Sequence, residues 1–137
     1  MKDIITIYTD GASRGNPGPA AAAFIFLHGK DKLYESASYL GNTTNNAAEY
    51  QAILSALKEV QKFTNNSIQL YSDSQLVIRQ LNNVYSVKSK RLRPYYKKIQ
   101  KIKEQFNHVS FHHVNRTNKY IKKCDALANE ILDENSH

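Results

Sequence analysis

The stretch Ile7-Tyr8-Thr9-Asp10-Gly11-Ala12-Ser13-Arg14-Gly15-Asn16-Pro17-Gly18 decides how this chain is read. Ile4, Ile5 and Thr6 precede it, so an apolar, β-branched run ends abruptly in Asp10. Such residues suit a buried strand, here expected over 3–9. The continuation, rich in Gly, Asn and Pro, reads as a loop. A carboxylate at the mouth of a buried strand is well placed to hold a divalent cation. The same residues also fit a plain strand closed by an Asp-Gly turn, and the stretch alone does not separate the two.

Further along, Ala20 to Leu27 and Leu33 to Leu40 read as extended segments, joined by a turn at Gly29-Lys30-Asp31. Residues 46–63 carry Ala52, Ile53, Ala56, Leu57 and Val60 at helical spacing. A short strand is expected over Ile68 to Ser72, and a helix from Ser74 to Leu81. A second helix is expected over 92–106 with Ile99, Ile102 and Phe106 as its spine, then a fifth strand over Val109 to Val114. A last helix is expected to open at Asp125 and run to Leu132. Three strands and a helix, followed by alternating strand and helix, predict an α/β fold whose sheet mixes antiparallel and parallel pairs.

Three more acids stand where a core-facing or terminal position makes them notable. Glu49 shares a helix stripe with Ile53, Ala56 and Val60, which should face the sheet. It would also close a capping box if Asn46 were the N-cap. Asp73 follows a strand and would serve as N-cap of the next helix. Asp125, at the start of the last helix, would favour that helix's dipole. Each local explanation is sufficient by itself. Together, four carboxylates near strand ends and helix starts point to a shared site beyond the carboxyl ends of the strands. Their mutual repulsion there calls for a cation. Oxygen donors without His or Cys suit Mg²⁺ or Mn²⁺ rather than zinc.

The charge distribution names a partner class. Residues 79–123 hold thirteen Lys or Arg and one acid, Glu104, within a chain of net charge +7. Such a block is the footprint of a polyanion, or else a solvated lysine-rich helix face. Acids that bind metal beside a block that binds phosphate suggest a nuclease using two ions. No apolar run approaches the ~20 residues of a membrane span, and no membrane partner is expected. The N-terminus lacks a secretory pattern. Cys124 is the single cysteine, which fits a reducing, cytoplasmic setting. The length suits one domain over 1–137, and a monomer is expected.

The motifs, in order, are Tyr8-Thr9-Asp10-Gly11 with Gly15-Asn16-Pro17-Gly18, Thr43-Thr44-Asn45-Asn46-Ala47-Ala48-Glu49, Tyr71-Ser72-Asp73-Ser74-Gln75 and Cys124-Asp125-Ala126-Leu127-Ala128-Asn129. In type, order and spacing they resemble the type 1 ribonuclease H family over nearly the whole chain. The resemblance implies a five-stranded mixed sheet flanked by helices. It implies hydrolysis of the RNA strand of RNA–DNA hybrids, leaving 3′-hydroxyl and 5′-phosphate ends. Asp10, Glu49, Asp73 and Asp125 match the family's metal-binding catalytic acids, with two Mg²⁺ ions, or Mn²⁺, held between them and substrate. Gly11, Ser13, Asn16, Asn45, Asn46 and Gln75 match substrate-binding positions on the RNA strand, where 2′-hydroxyls distinguish RNA from DNA. Thr44 matches a position that grips a DNA-strand phosphate. The resemblance leaves duplex RNA open as a further substrate.

Two departures stand out. The long basic helix and loop that many relatives carry after the third acid is absent, as in short archaeal and bacterial forms. Lys88, Lys90, Arg91, Arg93, Lys97, Lys98 and Lys101 are expected to supply the attraction instead, with steep salt dependence. The mobile His of many relatives is replaced, on this resemblance, by Arg116. A loop over Asn118 to Lys123 is expected to separate it from Asp125. His112 and His113 alternate on a strand, one packed and one exposed, and neither is assigned to catalysis. A non-cleaving hybrid binder, a phosphotransferase half-domain and an integrase-like DNA nuclease are the rival readings. They are disfavoured respectively by four intact acids, by the short chain and by the polar residues suited to 2′-hydroxyls.

Overall fold

The computed structural model describes residues 4–136. Strands β1 (Ile4–Ser13), β2 (Gly18–His28) and β3 (Asp31–Thr43) form two consecutive antiparallel hairpins. Strands β4 (Ser67–Ser72) and β5 (His108–His113) then add in parallel, giving the sheet order β3-β2-β1-β4-β5. The helices are α1 (Asn45–Val60), α2 (Gln75–Leu81), α3 (Arg93–Lys103) and α4 (Lys119–Glu134).

Helices lie on both faces of the sheet. Ile53, Leu57 and Val60 of α1 meet Ile5, Ile7, Phe26, Ile68 and Leu70 on one face, with Val77, Leu81 and Ile99 from α2 and α3. On the other face Cys124, Ala128 and Leu132 of α4 meet Ala21, Ala23, Ile25 and Leu27. Strand β2 is therefore covered twice, and every residue from Ala20 to Leu27 is buried. That accounts for a continuous apolar run where a one-sided strand would alternate. Each fully buried Ile, Leu or Phe contributes about 1.5–3 kcal/mol relative to exposure. Truncating Ile53, which is 0% exposed, to Ala would cost about 2–5 kcal/mol.

The α/β class, the five strands and the mixed pairing match expectation; several boundaries do not. Strand β1 continues past Asp10 to Ser13 because Asp10, Gly11, Ala12 and Ser13 pair with Ala23, Ala22, Ala21 and Ala20. The turn shrinks to residues 14–17, closed by Arg14 N–H donating to Pro19 O at 2.8 Å. Helix α4 begins at Lys119, six residues before Asp125. Asn118 caps it, its Oδ1 accepting from Tyr120 N at 2.9 Å and Ile121 N at 3.2 Å. The expected loop over 118–123 is thus mostly helix. The spacing between Arg116 and Asp125 is taken up by helix because Asn118 satisfies two orphan N–H groups at its start.

Candidate active site

Asp10 sits on β1 and Asp73 directly follows β4, so the two adjacent parallel strands bring their carboxylates to the same end of the sheet. Glu49 arrives from α1. Gly11 permits this: a Cβ there would lie 2.3 Å from the Ala48 carbonyl carbon and 2.4 Å from Glu49 N. Without a side chain, β1 and α1 touch backbone to backbone. Gly11 N–H then donates to Glu49 Oε1 at 2.6 Å. Carboxylate oxygens of Asp10, Glu49 and Asp73 all lie within 4.8 Å of one another. Asp125, on the second turn of α4, stands beside Asp10 and closes the group from the other face of the sheet.

None of the local explanations for these acids holds. Thr44, not Asn46, caps α1, its Oγ1 accepting from Ala47 N at 3.2 Å. Glu49 is therefore the fifth helical residue, out of reach of a capping box. Ser74 caps α2, its Oγ accepting from Val77 N at 3.4 Å, which leaves Asp73 free of that duty. Asp125 lies too far into α4 to serve its N-terminal dipole.

Electrostatics show what the group lacks. Burial, then the charges of Asp73 and Asp125, push the Asp10 carboxyl up to about 8, and the Arg116 guanidinium offsets part of this. Burial, then Asp10 and Asp73, hold Glu49 well above the usual carboxylate range, against the Gly11 hydrogen bond. Both effects favour the protonated forms of Asp10 and Glu49, and a divalent cation would compete with those protons. The donor set is all oxygen, which fits Mg²⁺ or Mn²⁺.

The four acids line a cleft of about 500 Å³ together with Gly11, Asn45, Arg116 and Lys122. A neighbouring groove, also about 500 Å³, is lined by Asn16, Thr44, Asn46, Lys88 and Arg91. Asn16 Oδ1 accepts from Asn45 N at 3.0 Å, tying the β1–β2 turn to the start of α1 between the two hollows. Ser13 and Gln75 line neither hollow. Ser13 ends β1, and Gln75 is exposed at the first turn of α2. His112 is half-buried, 2.8 Å from Ser110 Oγ, and His113 is exposed.

Lys122 is the charged cleft residue that sequence reasoning missed; Ala12, Ser74 and Ile121 also line the cleft. The signal for Lys122 was available: on a helix capped by Asn118, it precedes Asp125 by one turn. The basic block is also divided. Lys88, Arg91, Arg93 and Lys97 lie along the α2–α3 side, whereas Lys119, Lys122 and Lys123 ride on α4 across the sheet.

Comparison with known proteins agrees with this geometry. Residues 8–131 match the family model described as reverse transcriptase-like. A ribonuclease HI of Halobacterium salinarum is 39% identical over 128 residues, covering 93% of this chain and 63% of that protein. The chain thus spans somewhat under two thirds of this curated relative. The crystal structure of a ribonuclease H1 from the same archaeon superposes with a TM-score of 0.91 at 38% identity, covering 96% of this chain and 98% of that one. A second structure, LC11-RNase H1 in complex with RNA/DNA hybrid, gives 0.90 at 37% identity with the same coverage. By sequence and by fold, the chain belongs to the type 1 ribonuclease H family.

Proposed function

We propose that this chain is an endonuclease that hydrolyses the RNA strand of RNA–DNA hybrids, leaving 3′-hydroxyl and 5′-phosphate ends. The observation that carries the reading is the grouping of Asp10, Glu49 and Asp73 oxygens within 4.8 Å, in a cleft that Asp125 also lines. Divalent cations held by Asp10, Glu49, Asp73 and Asp125 would supply an activated water and neutralise charge on the leaving oxygen. Asp10, crowded by Asp73 and Asp125, would help to hold the cations. Glu49, oriented by Gly11 N–H, would also lie near the 2′-hydroxyl next to the scissile phosphate. Asp73 and Asp125 would complete the oxygen shell from β4 and α4. Arg116, at the cleft rim, would take the place of the mobile His of other relatives and assist proton transfer or product release.

Around the cleft, Gly11, Ser13, Asn16, Asn45, Asn46 and Gln75 would follow the RNA strand in the minor groove. Thr44, Lys88 and Arg91 in the adjoining groove would hold DNA-strand phosphates, Thr44 serving also as cap. The single domain acts as a cytoplasmic monomer in this reading. The test uses labelled RNA–DNA hybrid, duplex DNA and duplex RNA, each with Mg²⁺, Mn²⁺ or EDTA. Cleavage of the hybrid's RNA strand that needs the cation is expected, with end-group mapping to check the termini. Metal-independent cleavage, or cleavage of duplex DNA alone, overturns the reading. The duplex-RNA arm decides whether that substrate is also taken.

A further inference from the structure

The face of the sheet opposite α1 is covered only in part. Helix α4 packs over β1, β2 and β3, and no helix among the described residues lies over the outer side of β4 and β5. Gln69, Tyr71, Ser110 and His112 stand there half-buried. Neither strand carries an acid. Strand register places Tyr8 beside Tyr71 and Tyr71 beside His112. Their rings form a ladder across three parallel strands, Tyr8 to Tyr71 at 5.1 Å between centroids and Tyr71 to His112 at 4.9 Å. Tyr120 of α4 continues it, 4.9 Å from Tyr8.

Cations crown the α4 end of this ladder. Lys119 Nζ and Lys123 Nζ lie 5.1 and 5.6 Å from the Tyr120 ring centroid. Both lysines, and Lys122 between them, are exposed. None pairs with a carboxylate among the described residues. Lys122 also lines the acidic cleft. A cationic, aromatic and hydroxyl-bearing track thus leads from the cleft down an uncovered sheet face, on the side away from the α2–α3 block.

We propose that the first two turns of α4 and the outer face of β4 and β5 form a landing surface for single-stranded RNA that continues from the strand held in the cleft. The ammonium groups match its phosphates. The rings, with Gln69, Ser110 and the tyrosine hydroxyls, match bases and ribose hydroxyls. RNA rather than DNA is the occupant because Lys122 joins this track to the cleft where the RNA strand is cut, whereas the groove assigned to the DNA strand opens beside Lys88 and Arg91. A protein partner suits the face less well, since it presents no aliphatic side chain larger than the stem of Gln69. The proposal rests on the hybrid reading of the cleft.

The test compares a blunt RNA–DNA hybrid with hybrids carrying a ~10-nucleotide single-stranded extension of RNA or of DNA, a length within the usual site size. Binding is followed by fluorescence anisotropy across salt, alongside steady-state cleavage and anisotropy of a free single-stranded RNA. The RNA extension is expected to tighten binding more than the DNA extension. The double variant Lys119→Gln/Lys123→Gln should abolish that gain while cleaving the blunt hybrid normally. With two fewer phosphates neutralised, the salt slope for the single strand should fall by about 1.4, about a sevenfold effect between 50 and 200 mM. No gain from the RNA extension, an equal gain from DNA, or a gain unchanged in the variant overturns the proposal. Failure of the wild type to cut the blunt hybrid overturns the hybrid reading instead, and the free-RNA anisotropy of wild type against variant still decides the surface.

Discussion

Gly11 N–H donates a 2.6 Å hydrogen bond to the Glu49 carboxylate, joining β1 to α1 across 38 residues of sequence. The bond does two things. It fixes the rotamer of a buried acid, and it marks the point where two backbones approach too closely for any side chain. The acids on either side of that junction, Asp10 and Glu49, become neighbours as a result.

Gly11→Ala tests this close approach directly. The new Cβ would sit 2.3 Å from backbone of Ala48, which cannot yield as a flexible side chain would. A destabilisation of about 3 kcal/mol or more is expected, at the upper end of overpacking costs, together with loss of cleavage. Urea denaturation measures it, and an unchanged midpoint would show that the two backbones can part at little cost.

Asp10→Asn should abolish metal-dependent cleavage, by at least about a hundredfold, the scale of removing one electrostatic partner of a transition state. The same change should raise the metal-free melting temperature at pH 8, because it removes a buried charge crowded by Asp73 and Asp125. Retained activity would take Asp10 out of the metal site.

The pH dependence of stability follows from the raised acids. The folded protein holds a proton on Asp10 up to about 8, whereas the unfolded chain releases it near 3.8. Between these values the folded state binds more protons, so the stability this group contributes is complete below the lower value. It is lost as pH rises through the upper one. Glu49 acts in the same direction. Metal-free protein should therefore melt progressively lower from pH 5 to 9, and added Mg²⁺ or Mn²⁺ should stabilise most at the alkaline end. Calorimetry with and without EDTA checks both; cation stabilisation that is greatest at pH 5 would contradict the scheme.

Lys88→Gln with Arg91→Gln should weaken hybrid binding and lower its salt slope by about 1.8, at about 0.9 for each phosphate that is no longer neutralised. Both side chains line the groove beside Thr44 and Asn46. A double variant with the wild-type slope would show that this groove holds no phosphate.

Much of the fold was legible because its signals are local. The apolar run of β1, the doubly buried β2 and the stripe of α1 each declare a period or a continuous core segment. The four acids were legible as a set, since each interrupts such a pattern. What each acid does locally was not. Asp73 against Ser74, and Asn46 against Thr44, are near neighbours with equal capping chemistry, and the backbone decides between them. Asp125 was read as a helix start, although Ile121 and Cys124 already begin the buried stripe that Ala128 and Leu132 continue, and Asn118 caps the turn before it.

The sequence by itself determined the elements, their order, the family and the four carboxylates, all properties of residue type and short-range spacing. Tertiary structure alone decided that β1 carries Asp10 within the sheet, since strand ends are set by pairing with β2. It decided that Glu49 is held from Gly11 and that Asp125 acts from a helix's second turn. It also decided that the basic block divides between the two faces of the sheet. These depend on which distant backbones can approach, and such long-range approaches leave no periodic trace in the sequence.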